Sequence, residues 1–328
     1  MAAHLDIVRL LADGELHSGE TLAERLGITR AGVWKAVHKA GEALGIGVES
    51  VRGRGYRLAA PLELLDRDQI LSSISPDGRA RITRLEIQDD IDSTNSYLMR
   101  EAQAGAPSGA LCLAERQTAG RGRRGRNWVS PFGANVYLSL LWRYAFGPSE
   151  LPGLSLAAGI AVAAALRAEG VENVALKWPN DVLWKRLKLA GLLLEAVGES
   201  GGPSLVVIGV GINTRLNPVQ AAEIDQPWVD LSTVLGEQGF SRNRVAARAA
   251  DSLVEVLDRY GREGLTPFIP EWERFDRYLG EPIEISIGDR RILGVHAGIT
   301  ESGALRVDTG ATVLTFRAGE VSLRPAEK

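Results

Sequence analysis

The stretch GRGRRGRNWVSP, residues 120–131, sets four arginines among three glycines and runs straight into a tryptophan and a proline. Guanidinium groups on so pliable a backbone meet phosphates and carboxylates with paired, charge-assisted hydrogen bonds. Gly120, Gly122 and Gly125 also match the spacing of a dinucleotide fingerprint. That motif must open a helix whose N-terminus faces a pyrophosphate, whereas Pro131 and Gly133 follow here almost at once. A P-loop is absent, because no Gly-Lys-Ser/Thr occurs in the chain. Strand-like segments lie close on both sides, which argues against a disordered Arg-Gly tail. What remains is a loop between strands that folds over an anionic small molecule.

A second cluster, KWPNDVLWKRLKLAG at 177–191, gathers Lys177, Asn180, Asp181 and Lys188 around a tight turn. Pro179-Asn180-Asp181 is turn chemistry, and a plain surface hairpin would use it as well. Asp181 is also a natural ligand for the Mg²⁺ that accompanies a nucleotide. A third element, IGVGINT at 208–214, ends a strand with small residues and Asn213. A flat ring can approach such a backbone, although close packing alone explains glycines there too. Histidine occurs only at 4, 17, 38 and 296, so chemistry in the long middle of the chain runs without imidazole. Ser–His and Cys–His nucleophilic machinery is thereby excluded from that region.

These residues need a scaffold to bring them together. A chain of 328 residues with 45% hydrophobic and 24% charged residues is ordinary globular material, long enough for two or three domains. The formal net charge of −3 makes no global demand for nucleic acid, so any such surface must be local. Cys112 stands alone, which leaves no internal disulfide or cysteine-built zinc site and fits a reducing compartment. The first residues have no basic n-region, so no signal peptide is expected. The longest apolar run, 151–166, is too short to span a membrane and reads as a buried helix. A cytoplasmic protein without membrane partners is expected.

Residues 1–63 read as a winged helix-turn-helix. Leu5, Val8 and Leu11 recur at helical spacing; Ser18 and Thr29 suit the caps of two further helices; a hairpin with its tip at 52–54 follows as a wing. Residues 1–28 carry two Lys/Arg against five Asp/Glu, while 29–58 carry six against two. The positive half thus coincides with the recognition helix and wing, where DNA phosphates would lie. Thr29, Arg30, Trp34, Lys35, Lys39, Arg52 and Arg54 are the candidate DNA contacts, the alternative being a winged helix used for protein contacts. Residues 66–268 alternate strands and helices, an α/β-type catalytic domain in an α+β protein overall. Residues 270–328 supply short strands with glycine turns, as in a small SH3-like barrel.

IDSTNSYL at 91–98, QTAGRGRRGRNWVSPFGANVYLSL at 117–140, LKWPNDVLWKRLKLAGLLLE at 176–195 and IGVGIN at 208–213 together resemble the bacterial biotin protein ligases. With the winged helix in front, the chain resembles their bifunctional type, which also represses the biotin operon. The resemblance runs almost end to end and implies a class II synthetase-like mixed sheet. It implies biotin contacts from Ser93, Thr94, Asn95, Gln117, Gly120, Arg121, Gly122, Arg123 and Lys188. It implies ATP and adenylate contacts from Arg126, Trp128, Lys177, Asn180, Asp181, Asn213 and Trp228. Lys188, Arg123, Arg126 and Asp181 would carry the catalysis, with Asp181 as base, electrostatic partner or magnesium ligand. Asn127 and Thr118 depart from the lysine and glutamine often found at those positions in the family.

The reaction so implied has two steps. The biotin carboxylate attacks the α-phosphate of ATP and releases pyrophosphate; a lysine of a biotin carboxyl carrier protein then opens the acyl-adenylate. Joining two anions requires neutralisation and orientation rather than proton transfer, which fits a site without histidine. The loop would shield the reactive anhydride from water. The family also implies operator DNA as a partner and a homodimer formed with the adenylate bound. Two other readings stay open on the residues alone: a lipoate or octanoate ligase or transferase of the same architecture, and a non-enzymatic repressor that senses a metabolite.

Overall fold

The structure is a computed structural model that describes residues 3–199, 201–237, 239–288, 290–318 and 322–325. Three helices open the chain, Ala3–Leu11, Gly19–Leu26 and Arg30–Leu44. The Ser18 hydroxyl accepts from the Thr21 amide and the Thr29 hydroxyl from the Gly32 amide, so both expected caps form. Gly27 ends the second helix at φ 64°, a left-handed conformation that costs glycine little. Ile7, Val8, Leu11, Leu22, Val33, Val37, Ala40 and Leu44 close a small core, which the wing strands Val48–Val51 and Gly55–Leu58 complete through Leu58. Phe132, far along the chain, is buried in that same core.

The central region is a seven-stranded sheet. In spatial order its strands are Arg84–Gln88, Ala110–Ala114, Asn135–Tyr144, Ser204–Asn213, Leu187–Gly198, Asp181–Trp184 and Val174–Lys177. The sheet is mixed, as expected: only the first two strands run parallel, joined by the helix Thr94–Gln103. All other neighbours are antiparallel. For the last three strands in that order the physical reason lies in the connections: the turns at 178–180 and 185–186 are too short for a crossover.

Period-2 alternation gives this sheet two unlike faces. Val136, Leu138, Leu140, Ile208, Val210 and Ile212 point one way, into a core shared with the helices Leu154–Ala168 and Arg242–Glu263. Ser139, Gly209, Gly211 and Gly191, paired across three strands, share the opposite face. Helix Thr94–Gln103 covers one end of that second face through Leu98 and Ala102 against Cys112, Leu141 and Val207. Its other end, floored by glycines, is left open.

Five antiparallel strands form the last sheet, in the order Val313–Phe316, Leu305–Asp308, Arg290–Ile299, Pro282–Ile287 and Ser322–Pro325. Four of them follow the expected pattern; the fifth, like the strand Arg84–Gln88 and the helices Arg67–Ser73 and Pro76–Arg81, carries too short a pattern to stand out in the sequence. The segment leaving the winged helix is clasped to the central region by buried charge. Arg242 Nη1 donates to Glu115 Oε2 at 2.6 Å and to the Glu63 carbonyl at 3.0 Å, and Glu115 Oε1 accepts from the Leu65 amide. No described helix is long and apolar enough to cross a membrane.

Candidate active site

Above the glycine floor lies a cavity of about 700 Å³. Ser93, Thr94, Asn95, Gln117, Arg121, Gly122, Arg123, Arg126, Trp128, Lys177, Asn180, Asp181, Lys188, Asn213 and Trp228 all line it, so the structure brings together nearly every expected ligand contact. Gly120 is outside the lining. A Cβ there would come within 2.5 Å of Ser130 Oγ and 2.6 Å of the Trp128 carbonyl, so its place is structural, at the base of the loop.

One end of the cavity is closed and neutral. Ser93 holds the N-cap position of helix Thr94–Gln103, yet its side chain makes no cap bond. Thr94 donates its amide to Gln117 Oε1 at 2.9 Å, and Gln117 Nε2 donates to Ser130 Oγ at 3.1 Å. Asn95 directs Nδ2 to the Leu193 carbonyl and to Glu195 Oε2 at 2.8 Å. Gly209 is required beneath it, since a Cβ there would stand 2.3 Å from Asn95 Oδ1.

The other end is charged. Lys188 Nζ lies 2.7 Å from Asp181 Oδ1, and Lys177 Nζ lies 3.9 Å from Asp181 Oδ2. A β-bulge produces the short pair. Asp181 faces Gly191 and Val182 faces Ala190, but Leu183 then faces Lys188, so one residue has been skipped. In an unbroken register Lys188 would point to the opposite face of the sheet; the bulge turns it onto the face of Asp181. Asn180 stiffens the turn, with Nδ2 donating to the Leu192 carbonyl at 2.7 Å. Asp181 is matched here by two ammonium groups, and the described residues hold no group of three His, Cys, Asp or Glu around a metal position. A magnesium ion at this site would therefore be carried on nucleotide phosphates with Asp181 as a single protein ligand.

The arginine loop lies across the cavity. Gly122 and Arg126 form a backbone bond of 2.8 Å, with Arg124 at φ 59° and Gly125 at φ 73° between them. Arg123 donates to Asn180 Oδ1 at 3.1 Å and to the Ala318 carbonyl, two residues beyond the strand Val313–Phe316. Burial holds its guanidinium below the usual arginine value, and Asp181 opposes that shift. Arg121 reaches outward instead, to Ser96 Oγ at 2.9 Å and Glu195 at 3.1 Å. The flat ring expected against IGVGIN is the protein's own: a Cβ at Gly211 would fall 2.3 Å from the Trp128 indole. Lys188 Nζ stands 5.4 Å from the centre of that ring. Asn213 Nδ2 donates to the carbonyls of Lys188 and Val229, which fastens the Trp228 segment beside the site.

Several contributors escape a reading of the sequence. Arg124 and Arg186 line the cavity within the recognised strings, while Glu223, Asp225, Tyr278 and Leu323 reach it from segments without a motif. Ser130 and Ser139 stand behind the lining, and no local signal distinguishes them from other strand or turn serines. On the winged helix, Thr29, Arg30, Trp34, Lys35, Lys39, Arg52 and Arg54 are all exposed along the third helix and the wing tip. Trp34 is 52% exposed, and its ring meets His38 at 4.0 Å.

Residues 88–213 match the Biotin/lipoate A/B protein ligase family, residues 4–57 an HTH domain, and residues 278–324 the Biotin protein ligase C terminal domain. The chain is 41% identical to the bifunctional ligase/repressor BirA of Escherichia coli over 99% of its own length and 98% of that protein's. It is 33% identical to the biotin–[acetyl-CoA-carboxylase] ligase of Mycobacterium tuberculosis, over 81% of this chain and 97% of that one. Among solved structures, the biotin protein ligase of Aquifex aeolicus in complex with biotin and ATP superposes with a TM-score of 0.63 at 30% identity, covering 74% of this chain and all of that one. A cavity with one neutral and one cationic end beneath an arginine loop, on a chain similar end to end to a ligase that also represses, leaves one assignment: the chain belongs to the biotin protein ligase family, among its bifunctional ligase/repressor members.

Proposed function

We infer that this chain is an ATP-dependent biotin protein ligase that also acts as a biotin-responsive repressor. The observation that carries the reading is the meeting, in one cavity, of buried neutral hydrogen-bonding groups with a lysine–aspartate–lysine cluster under an arginine loop. The neutral end suits a polar ring; the cationic end suits a carboxylate and phosphates. Three units divide the work: 1–63 for DNA, 66–268 for catalysis, and 270–328 supporting the loop.

In the first step a carboxylate oxygen of biotin bonds to the α-phosphorus of ATP, the bond to the β-phosphate oxygen breaks, and pyrophosphate leaves. Lys188 and Arg126 neutralise the approaching anions, with Lys177 alongside, while Ser93, Thr94, Asn95 and Gln117 hold the ring. Asn213, Trp128 and Trp228 flank the nucleotide. A divalent ion accompanying the triphosphate would find its oxygens on phosphate, water and, in the alternative role of that carboxylate, Asp181, and would add to the neutralisation of charge. As Lys188 swings to the ligand, Asp181 loses its closest counter-ion. It is then placed to accept the proton that the acceptor lysine of the carrier must shed before its nitrogen attacks the acyl carbon and AMP departs.

Arg123 and Gly122 close over the adenylate between the two steps. A dimer stabilised by that closed loop would set two recognition helices at the spacing of a palindromic operator. The decisive experiment is pyrophosphate release from ATP with biotin, followed by transfer of labelled biotin to a carboxyl carrier domain; lipoate and octanoate run beside biotin separate the acyl classes. Footprinting with and without biotin and ATP tests repression: protection that ignores both ligands overturns that half of the reading.

A further inference from the structure

Behind the neutral end of the cavity, Ser139 is fully buried in the middle of the sheet. Its Oγ lies 2.7 Å from Thr94 Oγ1 and 2.6 Å from Asn95 Oδ1. Both distances require a proton between the oxygens. The Asn95 amide is oriented by its Nδ2, which meets only acceptors, so Oδ1 brings no proton. Ser139 has one proton for two contacts, and the Thr94 hydroxyl must therefore keep its own proton inside the protein. Placed on the Ser139 contact, that proton satisfies both short distances; donated to Gln117 Oε1 at 3.2 Å, it leaves the single Ser139 proton shared between Thr94 Oγ1 and Asn95 Oδ1. In either arrangement Thr94 turns a lone pair, not a proton, toward the cavity.

A similar constraint acts on Gln117. The Thr94 amide fixes Oε1, and Nε2 donates to Ser130 Oγ, whose own proton goes to the Trp128 carbonyl at 2.8 Å, an acceptor only. The second Nε2 proton remains for a ligand. The closed end thus presents an acceptor on Thr94 beside a donor on Gln117. That pair complements a ring edge with an N–H next to a C=O, and it opposes any ring offering two acceptors or two donors.

We propose that Ser139, behind the cavity lining, is a specificity-determining positioning residue that fixes the hydrogen-bond polarity of the ring site through Thr94 and Asn95. The proposal rests on the biotin reading given above and adds to it the group that enforces selection. Without Ser139, the Thr94 hydroxyl keeps only its longer 3.2 Å contact to Gln117 Oε1, can turn its proton to the cavity instead, and the site tolerates a ring oxygen where an N–H belongs.

The test is calorimetric titration of the full chain with biotin and with the two cyclic carbamate analogues in which one ring N–H is replaced by oxygen. With the unaltered protein, the analogue lacking the N–H that meets Thr94 binds about tenfold or more weakly than biotin. With Ser139→Ala, biotin weakens by about tenfold and the biotin-to-carbamate ratio falls by at least about threefold. Ser139→Cys, with a weaker donor of similar size, lies between the two and serves as the readout if the alanine variant does not fold. Equal weakening of biotin and carbamate, with an unchanged ratio, marks a purely structural serine and overturns the proposal. No biotin binding by the unaltered chain would instead overturn the ligase reading itself.

Discussion

The two ends of the cavity are held in opposite ways. At the neutral end, Thr94, Asn95 and Ser139 are 4%, 3% and 0% exposed, and their polar groups are engaged with one another before any ligand arrives. At the charged end, Lys188 leans on Asp181 and Arg123 on a backbone carbonyl, partners that an anionic ligand can replace. The difference teaches how recognition and catalysis are separated within one pocket. A buried neutral network costs much to distort, so it selects a shape and polarity. Ion pairs with exchangeable partners neutralise charge wherever the reaction creates it, without a fixed demand on the ligand.

Breaking the charged end should have the largest effect. Lys188→Ala removes the cation that faces both anions and is expected to slow adenylate formation by roughly 100- to 1000-fold. Biotin affinity should fall far less, and single-turnover pyrophosphate release beside a binding titration checks the split. Asp181→Asn separates the two steps: transfer from preformed adenylate to the carrier should drop by about 100-fold. Transfer at full speed would remove the base role. Arg123→Gly deletes contacts to Asn180 and Ala318 and should let adenylate escape about 10- to 100-fold faster, seen as label on unrelated proteins. An escape rate equal to that of the unaltered chain would sink the shielding role. The smallest effect sharpens the contrast: raising ionic strength to about 1 M, where screening acts within roughly 3 Å, should raise the KM for ATP severalfold and leave biotin affinity nearly unchanged.

The connection to the winged helix follows the same logic of buried charge. Arg242 and Glu115 are each 3% exposed and 2.6 Å apart, and both also bind the backbone of the linker at Glu63 and Leu65. Phe132, at the far end of the arginine loop, is packed in the winged-helix core. Both ends of the loop are therefore attached where the DNA-binding unit meets the catalytic one.

Much of this was legible in the sequence because it is local. Caps at Ser18 and Thr29, the wing around 52–54, the alternation in IGVGIN and the cationic glycine loop each depend on neighbours within a few residues. What the sequence could not decide is long-range register. The skipped residue between Val182 and Leu183 that brings Lys188 onto Asp181 has no local mark. Nor does a mid-strand serine announce that it will back onto Thr94 and Asn95, some 45 positions earlier. Arg123 finds its partner at Ala318 only once the last sheet is docked. Spacing along a chain fixes which side chains share a face, but only the folded pairing of distant strands fixes which faces meet.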